Sequence, residues 1–252
     1  MSREVQSSRS TSIISKIIKT ALALILAAVF FLVFRTKTIE VTGNIHYSDE
    51  QIREYIETQT LSFNTLFMCV LNHNTVFEDN GFLESINVSL ISPGEILVTV
   101  MEKDCAGYIY QDGKYCYFNV YGEVEVVAQN PEKPENYEVC YIPMIEGENI
   151  SVSKAKTGAS VSGINASTYV SMIEIGNFVT GKGNYPDKLI IDGDGNINVI
   201  IGDINAALGN SGDIEEKMIQ LYAILPKTEG LKGVLHLEDF AKGDSRVVFD
   251  KE

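Results

Sequence analysis

Hydrophobic and polar positions alternate with different periods along this chain, and each period predicts an element. Residues 20–34 (TALALILAAVFFLVF) form an uncharged, almost wholly apolar run of 15 residues. Residues 38–42 (TIEVT) alternate apolar and polar, the period of a strand, and Gly43-Asn44 closes that strand with two residues that tolerate positive φ. A helix is predicted next. Ser48 with Gln51 three residues on is a capping-box pattern, Asp49 and Glu50 complement a helix dipole, and Ile52, Tyr55 and Ile56 recur at helical spacing. Residues 66–71 are predicted as helical, and residues 75–80 as a further short helix ahead of Gly81. Ile86, Val88 and Leu90 then alternate with polar neighbours, Ser92-Pro93-Gly94 makes a turn, and Ile96, Val98 and Val100 resume the alternation up to Glu102. This is a β-hairpin with one apolar face. The order β-α-α-β-β over roughly 65 residues suffices for a small α+β layer with helices covering the apolar face of the sheet.

After Asp104 the pattern changes to short strands and turns. Residues 108–110, 115–120 and 124–127 read as a meander with Asp112-Gly113 and Gly122 at the joints. Residues 130–137 (NPEKPENY) read as an exposed polar loop. Residues 168–178 place Tyr169, Met172, Ile173 and Ile175 on an amphipathic helix, and residues 188–202 read as a second hairpin.

Charge changes this picture more by its distribution than by its total. The 252 residues carry 20 Lys+Arg against 34 Asp+Glu, a formal charge of −14, with 45% hydrophobic residues, so the bulk of the chain is an ordered acidic protein. Tracking phosphates requires clustered Lys and Arg, which are absent beyond the first 40 residues, and this excludes a nucleic-acid surface. Residues 1–34 hold Arg3, Arg9, Lys16 and Lys19 against Glu4 alone, net +3, which leaves −17 for the rest. Fifteen apolar residues are short for the roughly 20 needed to cross a bilayer. Lys16 and Lys19 can snorkel to the headgroups, however, so residues 13–34 provide a single 22-residue span. Cleavage of a signal peptide needs small residues after the apolar run, whereas this run ends in Phe30, Phe31, Leu32, Val33 and Phe34, which favours an uncleaved anchor. Basic residues before the span place residues 1–12 in the cytoplasm and everything after Arg35 outside, in a single-pass membrane protein. Cys69, Cys105, Cys116 and Cys140 lie in that outer body without C-x-x-C spacing, and free, mostly buried thiols are the expectation.

These segments together resemble the FtsQ/DivIB family of bacterial cell-division proteins, whose first outer domain has the POTRA (polypeptide-transport-associated) fold. The resemblance covers most of the chain. It rests on the basic tail and single span, the I-E-V-T-G-N of residues 39–44, the Y-S-D-E-Q-I of residues 47–52, and the S-P-G-E-I-L-V-T-V-M-E of residues 92–102. It continues through residues 142–147 (IPMIEG), which match the family's "lP.i.G", and through Leu208-Gly209, Glu216-Lys217-Met218, Leu221, Ile224 and Leu225, which match its "lG…eKi..L..iL". Asn119 stands where an Asp is common in the family. The resemblance implies an α+β protein: a transmembrane helix at 13–34, a POTRA domain (β-α-α-β-β) at 38–103, and a mixed β-rich domain with flanking helices at 104–249. It also supplies the last two strands, residues 234–237 and 246–249, which alternate too poorly to be read from periodicity.

Candidate chemistry is sparse. His46, His73 and His236 are far apart, with no H-E-x-x-H or paired His/Cys spacing for zinc. Residues 209–213 (GNSGD) superficially resemble a serine-protease nucleophile loop, but no base or oxyanion hole accompanies them. Residues 192–203 alternate oxygen ligands as a calcium loop does, yet Ile197 occupies the sixth position, where an EF-hand requires Gly, so a hairpin turn is the better reading. No catalytic residue, metal ligand or cofactor is expected.

The resemblance implies a non-enzymatic scaffold of the divisome, located at the division septum. Its partners would be the coiled-coil proteins FtsB/DivIC and FtsL, with septal peptidoglycan synthases behind them. β-Augmentation is the physical mode such binding would take, because an exposed edge strand offers unpaired N–H and C=O groups. Carried onto this chain, the family's binding edge falls on Phe240, Lys242, Gly243, Ser245, Val247 and Phe249, with core packing an equal alternative for Val247 and Phe249. The alternative function is a membrane-anchored POTRA protein acting as a chaperone or translocation adaptor for extended polypeptides.

Overall fold

A computed structural model describes residues 2–78, 81–131, 140–210, 212–240 and 247–252, with side chains from residue 14 onward. It is a mixed α+β structure that divides into two compact units, one of Met1–Asn44, Asp49–Val76 and Ser85–Met101, the other of Ile45–Ser48, Phe77–Glu84 and Glu102–Glu252.

The first unit opens with α1 (Ser2–Val33). Its segment Ile14–Val33 is long and apolar enough to cross a membrane and none of it is buried, with Ile17, Leu24, Leu26 and Leu32 each more than 60% exposed. Twenty residues at 1.5 Å each span about 30 Å, the thickness of a hydrocarbon core. After the helix come β1 (Thr38–Thr42), α2 (Asp49–Glu57), α3 (Thr65–Leu71), β2 (Thr75–Val76), β3 (Leu83–Ser92) and β4 (Glu95–Glu102). They form one sheet of order β1-β4-β3-β2. β1 runs parallel to β4 in a register that sets Ile39 beside Ile96 and Val41 beside Val98. Period-two burial of Ile86, Val88, Ile96, Val98 and Val100 gives the sheet an apolar face, and α2 adds buried Ile52 and Ile56. Asn64 caps α3, its side-chain oxygen accepting from Leu66 N and Phe67 N at 3.1 and 3.3 Å.

One expectation fails here. Thr75 and Val76 are the short strand β2, paired with Ile86 and Ser85, rather than the start of a helix. Both are β-branched, which lowers helix propensity, and the adjacent edge of β3 offers ladder hydrogen bonds that an isolated short helix cannot match.

The second unit begins with the antiparallel meander β5 (Gly107–Gln111), β6 (Lys114–Phe118) and β7 (Val124–Ala128). Then follow β8 (Ile145–Glu146), the small pair β9 (Ser151–Val152) and β10 (Val161–Ser162), α4 (Ala166–Val179), β11 (Lys188–Ile191), β12 (Ile197–Ile201), β13 (Ile204–Gly209) and α5 (Ile214–Ile224). A 3-10 turn (Leu225–Lys227), β14 (Gly233–His236) and β15 (Val248–Lys251) complete it. A six-stranded sheet of order β15-β14-β13-β12-β11-β8 is the frame. Its core joins Leu189, Ile191, Val199, Leu208 and Leu235 from the strands with Met172, Ile175, Met218 and Leu221 from the two helices. Strand β6 feeds two cores by alternation: Cys116 and Phe118 enter this one, whereas Tyr117 joins Phe82, Val126 and Ile142 in a second.

Candidate functional site

The end of the six-stranded sheet is built around a buried lysine. Lys217 on α5 is only 4% exposed, and its Nζ donates to Leu208 O at 2.8 Å and Glu238 O at 3.0 Å. It thus fastens the end of β13 to the segment that follows β14, two strands that run parallel in the register Ile204 to Gly233 through Ala207 to His236. Burial depresses the pKa of this ammonium, while the charges of Asp213, Asp239 and Glu238 oppose the depression.

β15 pairs antiparallel with the β14 positioned in this way, Leu235 facing Phe249 and His236 facing Val248. Its outer side has no strand partner among the described residues. The opposite end of the sheet is different, because Met144, just before β8, bridges to Tyr108 of the meander and Tyr108 N donates to Pro143 O at 3.0 Å. β15 is therefore the open ladder of this sheet among the described residues. Phe240, Val247 and Phe249 are partly buried and pack against the large core. Lys242, Gly243 and Ser245 lie outside the described residues. What the strand presents outward is Val248, 59% exposed. Across the strand pair His236 sits between two carboxylates, Nδ1 3.0 Å from Glu238 Oε1 and Nε2 3.2 Å from Asp250 Oδ2. The hydrogen bond and charge of Glu238, followed by those of Asp250, raise the pKa of this imidazole above its usual value. Neither Val248 nor this cluster was named from the sequence. The alternation of Val247, Val248, Phe249 and Asp250 carries a signal for an inward and an outward face, but the contact of Asp250 with His236 depends on strand register.

No model of a known protein family matches this chain, and no curated protein matches it.

The other residues singled out in the sequence have the following surroundings. Asp192 accepts from the backbone N–H groups of Asp194 and Asn196 at 2.9 Å each and from Asn196 Nδ2 at 2.8 Å, the pattern of a turn-forming side chain between β11 and β12. In residues 209–213, Ser211 lies outside the described residues and Asp213 starts α5 with a left-handed φ of 54°. The four cysteines are free. Burial pushes the Cys140 thiol up to about 11 and raises those of Cys69, Cys105 and Cys116 as well, so all four are protonated and weakly nucleophilic at neutral pH. His46 is held by a single carboxylate: Glu102 accepts from Ile45 N at 2.9 Å, from His46 N at 2.7 Å and from His46 Nδ1 at 2.7 Å, while the imidazole stacks on Phe82 with centroids 3.8 Å apart.

Proposed function

We propose that this chain is a non-enzymatic, single-pass scaffold of the bacterial division machinery, whose outer body binds FtsB/DivIC-like and FtsL-like partners. In this reading α1 is the membrane anchor, the first unit is a POTRA domain, and the second is the partner-binding β domain. The observation that carries the proposal is the open edge at β15, at the same end of the chain as the binding edge implied by the family resemblance. Support also comes from the segments on which the resemblance rests: residues 38–42 ahead of Gly43-Asn44 are a strand, residues 83–102 a hairpin, and Lys217 lies on a helix. Binding would add a strand of the partner beside β15, with main-chain hydrogen bonds providing affinity and the outward Val248 contributing to selectivity. Phe240, Val247 and Phe249 would act by holding the edge in place from beneath.

The test is capture from membranes with the tagged full-length protein. Wild-type bait is expected to recover small coiled-coil division proteins, and Val248→Asp to recover them at least ten-fold less well at unchanged bait level. Equal recovery by the variant would remove β15 as the interface. Recovery of diverse unfolded secreted chains in place of dedicated partners would instead establish the chaperone or translocation-adaptor alternative.

A further inference from the structure

We propose that the apolar face of α3, together with Phe63, is seated in the lipid–water interface of the membrane that α1 crosses. The proposal rests on the reading of α1 as a span and extends it to the folded part of the first unit.

Depth is the first argument. The Phe63 and Phe67 rings lie 6.2 and 6.1 Å from the ring of Phe31, and Phe67 lies 6.3 Å from Phe30. Phe30 and Phe31 belong to the last turn of the apolar segment Ile14–Val33. At 1.5 Å per residue Phe31 stands about 3 Å inside the end of that segment, so side chains packed beside it are at the hydrocarbon boundary. Hydrogen bonds hold them there. Thr36 N donates to Phe63 O at 2.9 Å, Thr65 N to Phe34 O at 2.9 Å, and Thr36 Oγ1 to Ser62 O at 2.7 Å.

Composition is the second argument and is independent of the first. Residues 58–77 contain no Lys, Arg, Asp or Glu. At the chain's own 21% of charged residues, a stretch of that length would hold about four. The segment is nevertheless not folded away, because Phe63, Val70 and Leu71 are 52, 76 and 53% exposed. Val70 and Leu71 stand three and four residues after Phe67, on the helical face that Phe67 turns toward the end of α1. An exposed apolar face whose own segment carries no charge, continuous with the end of a span, is matched by lipid, and the charged side chains that share a cleft with Phe63, those of Arg35, Lys37, Arg53 and Glu57, come from outside that segment. Arg35 and Lys37, immediately beyond the span, lie at the level where headgroup phosphates begin.

The chain contains no tryptophan, so a single introduced indole is read without background. Full-length Phe63→Trp and Val70→Trp proteins are reconstituted in phosphatidylcholine/phosphatidylglycerol vesicles with or without brominated acyl chains. Val29→Trp, inside the span, is one reference. Met101→Trp is the other: Met101 is 57% exposed near the far end of β4, about 20 Å of strand from the turn that meets Lys37. Bromine is expected to cut the emission of Val29→Trp, Phe63→Trp and Val70→Trp at least two-fold and to leave Met101→Trp unchanged. Quenching of Val29→Trp alone would overturn the seat and leave the span intact. Absence of quenching in all four would overturn the span and the seat together. Quenching of Phe63→Trp and Val70→Trp that disappears when protein is raised relative to lipid would show that a second copy covers the face, and would also overturn the proposal.

Discussion

At the residue scale, the motif positions have identifiable physical tasks. Gly43 has φ +86°, and a Cβ there would collide with the carbonyl oxygen of Val100, so only glycine allows the strand to end where it does. Gly43→Ala is expected to destabilise by about 1–3 kcal/mol or more, measured by denaturant unfolding of the full chain in detergent. Asn119 holds the β6–β7 turn: its side-chain oxygen accepts from Tyr121 N at 2.9 Å and Glu123 N at 3.1 Å, as a carboxylate would. Glu102 has the clearest pH signature. Its side chain is 3% exposed, and burial alone would raise its pKa, but hydrogen bonds from His46 and Ile45 and the charge of His46 outweigh burial and leave it lowered. Because folding lowers the value, the stabilisation is complete above the unfolded pKa of about 4.3 and is lost as pH falls through the lower folded pKa. Glu102→Gln is therefore expected to cost about 1–3 kcal/mol at pH 7 and to flatten this part of the acid limb in thermal melts between pH 3 and 7. An unchanged acid limb in the variant would show that the pair is not its source.

At the element scale, the legible parts were those with a clean period and clear punctuation. The strand at residues 38–42, the helix from Asp49 and the β3–β4 hairpin alternate or repeat over whole elements, and the structure has all three, with β3 starting three residues before Ile86, at Leu83. The two-residue strands β2, β8, β9 and β10 carry no period at all and exist because neighbouring strands offer them a ladder. β14 and β15 came from the resemblance and lie at Gly233–His236 and Val248–Lys251, one and two residues from the expected bounds; burial does alternate along β14, with Gly233 and Leu235 buried and Val234 and His236 half-buried, but four residues are too few to show a period in the sequence. The candidate edge was legible only as a region. Its open side depends on which strands pair, and the inward packing of Val247 and Phe249 depends on register. Lys217 was visible as a motif letter, but its task appears only with the carbonyls of Leu208 and Glu238 in view. Lys217→Met keeps the stem and removes both donated bonds, leaving two carbonyls without this donor. The expected cost is about 1–3 kcal/mol, with hydrogen-exchange protection lost first in β14 and β15. Loss spread evenly over the second unit would mean that the lysine supports the whole core rather than this edge.

At the scale of the whole molecule, two features point the same way along the chain. A helix with apolar side chains exposed around it is unstable in water and comfortable in lipid, and charge is divided across it, +3 through residue 34 and −17 beyond. Orientation follows the basic residues near the ends of a span, so Arg3, Arg9, Lys16 and Lys19 are expected to hold the N-terminus in the cytoplasm against the weaker pull of Arg35 and Lys37. In intact cells stripped of their wall, a tag at the N-terminus should survive external protease while the outer body is digested. Replacing the four N-terminal basic residues with Gln leaves Arg35 and Lys37 as the nearest cations and reverses the bias. A several-fold rise in digestion of the N-terminal tag is then expected, with the total amount of inserted protein little changed because the apolar segment is untouched. Digestion of the tag in the wild-type protein would invert the assigned topology. It would also remove the division-scaffold reading, because the acidic body would then face the cytoplasm.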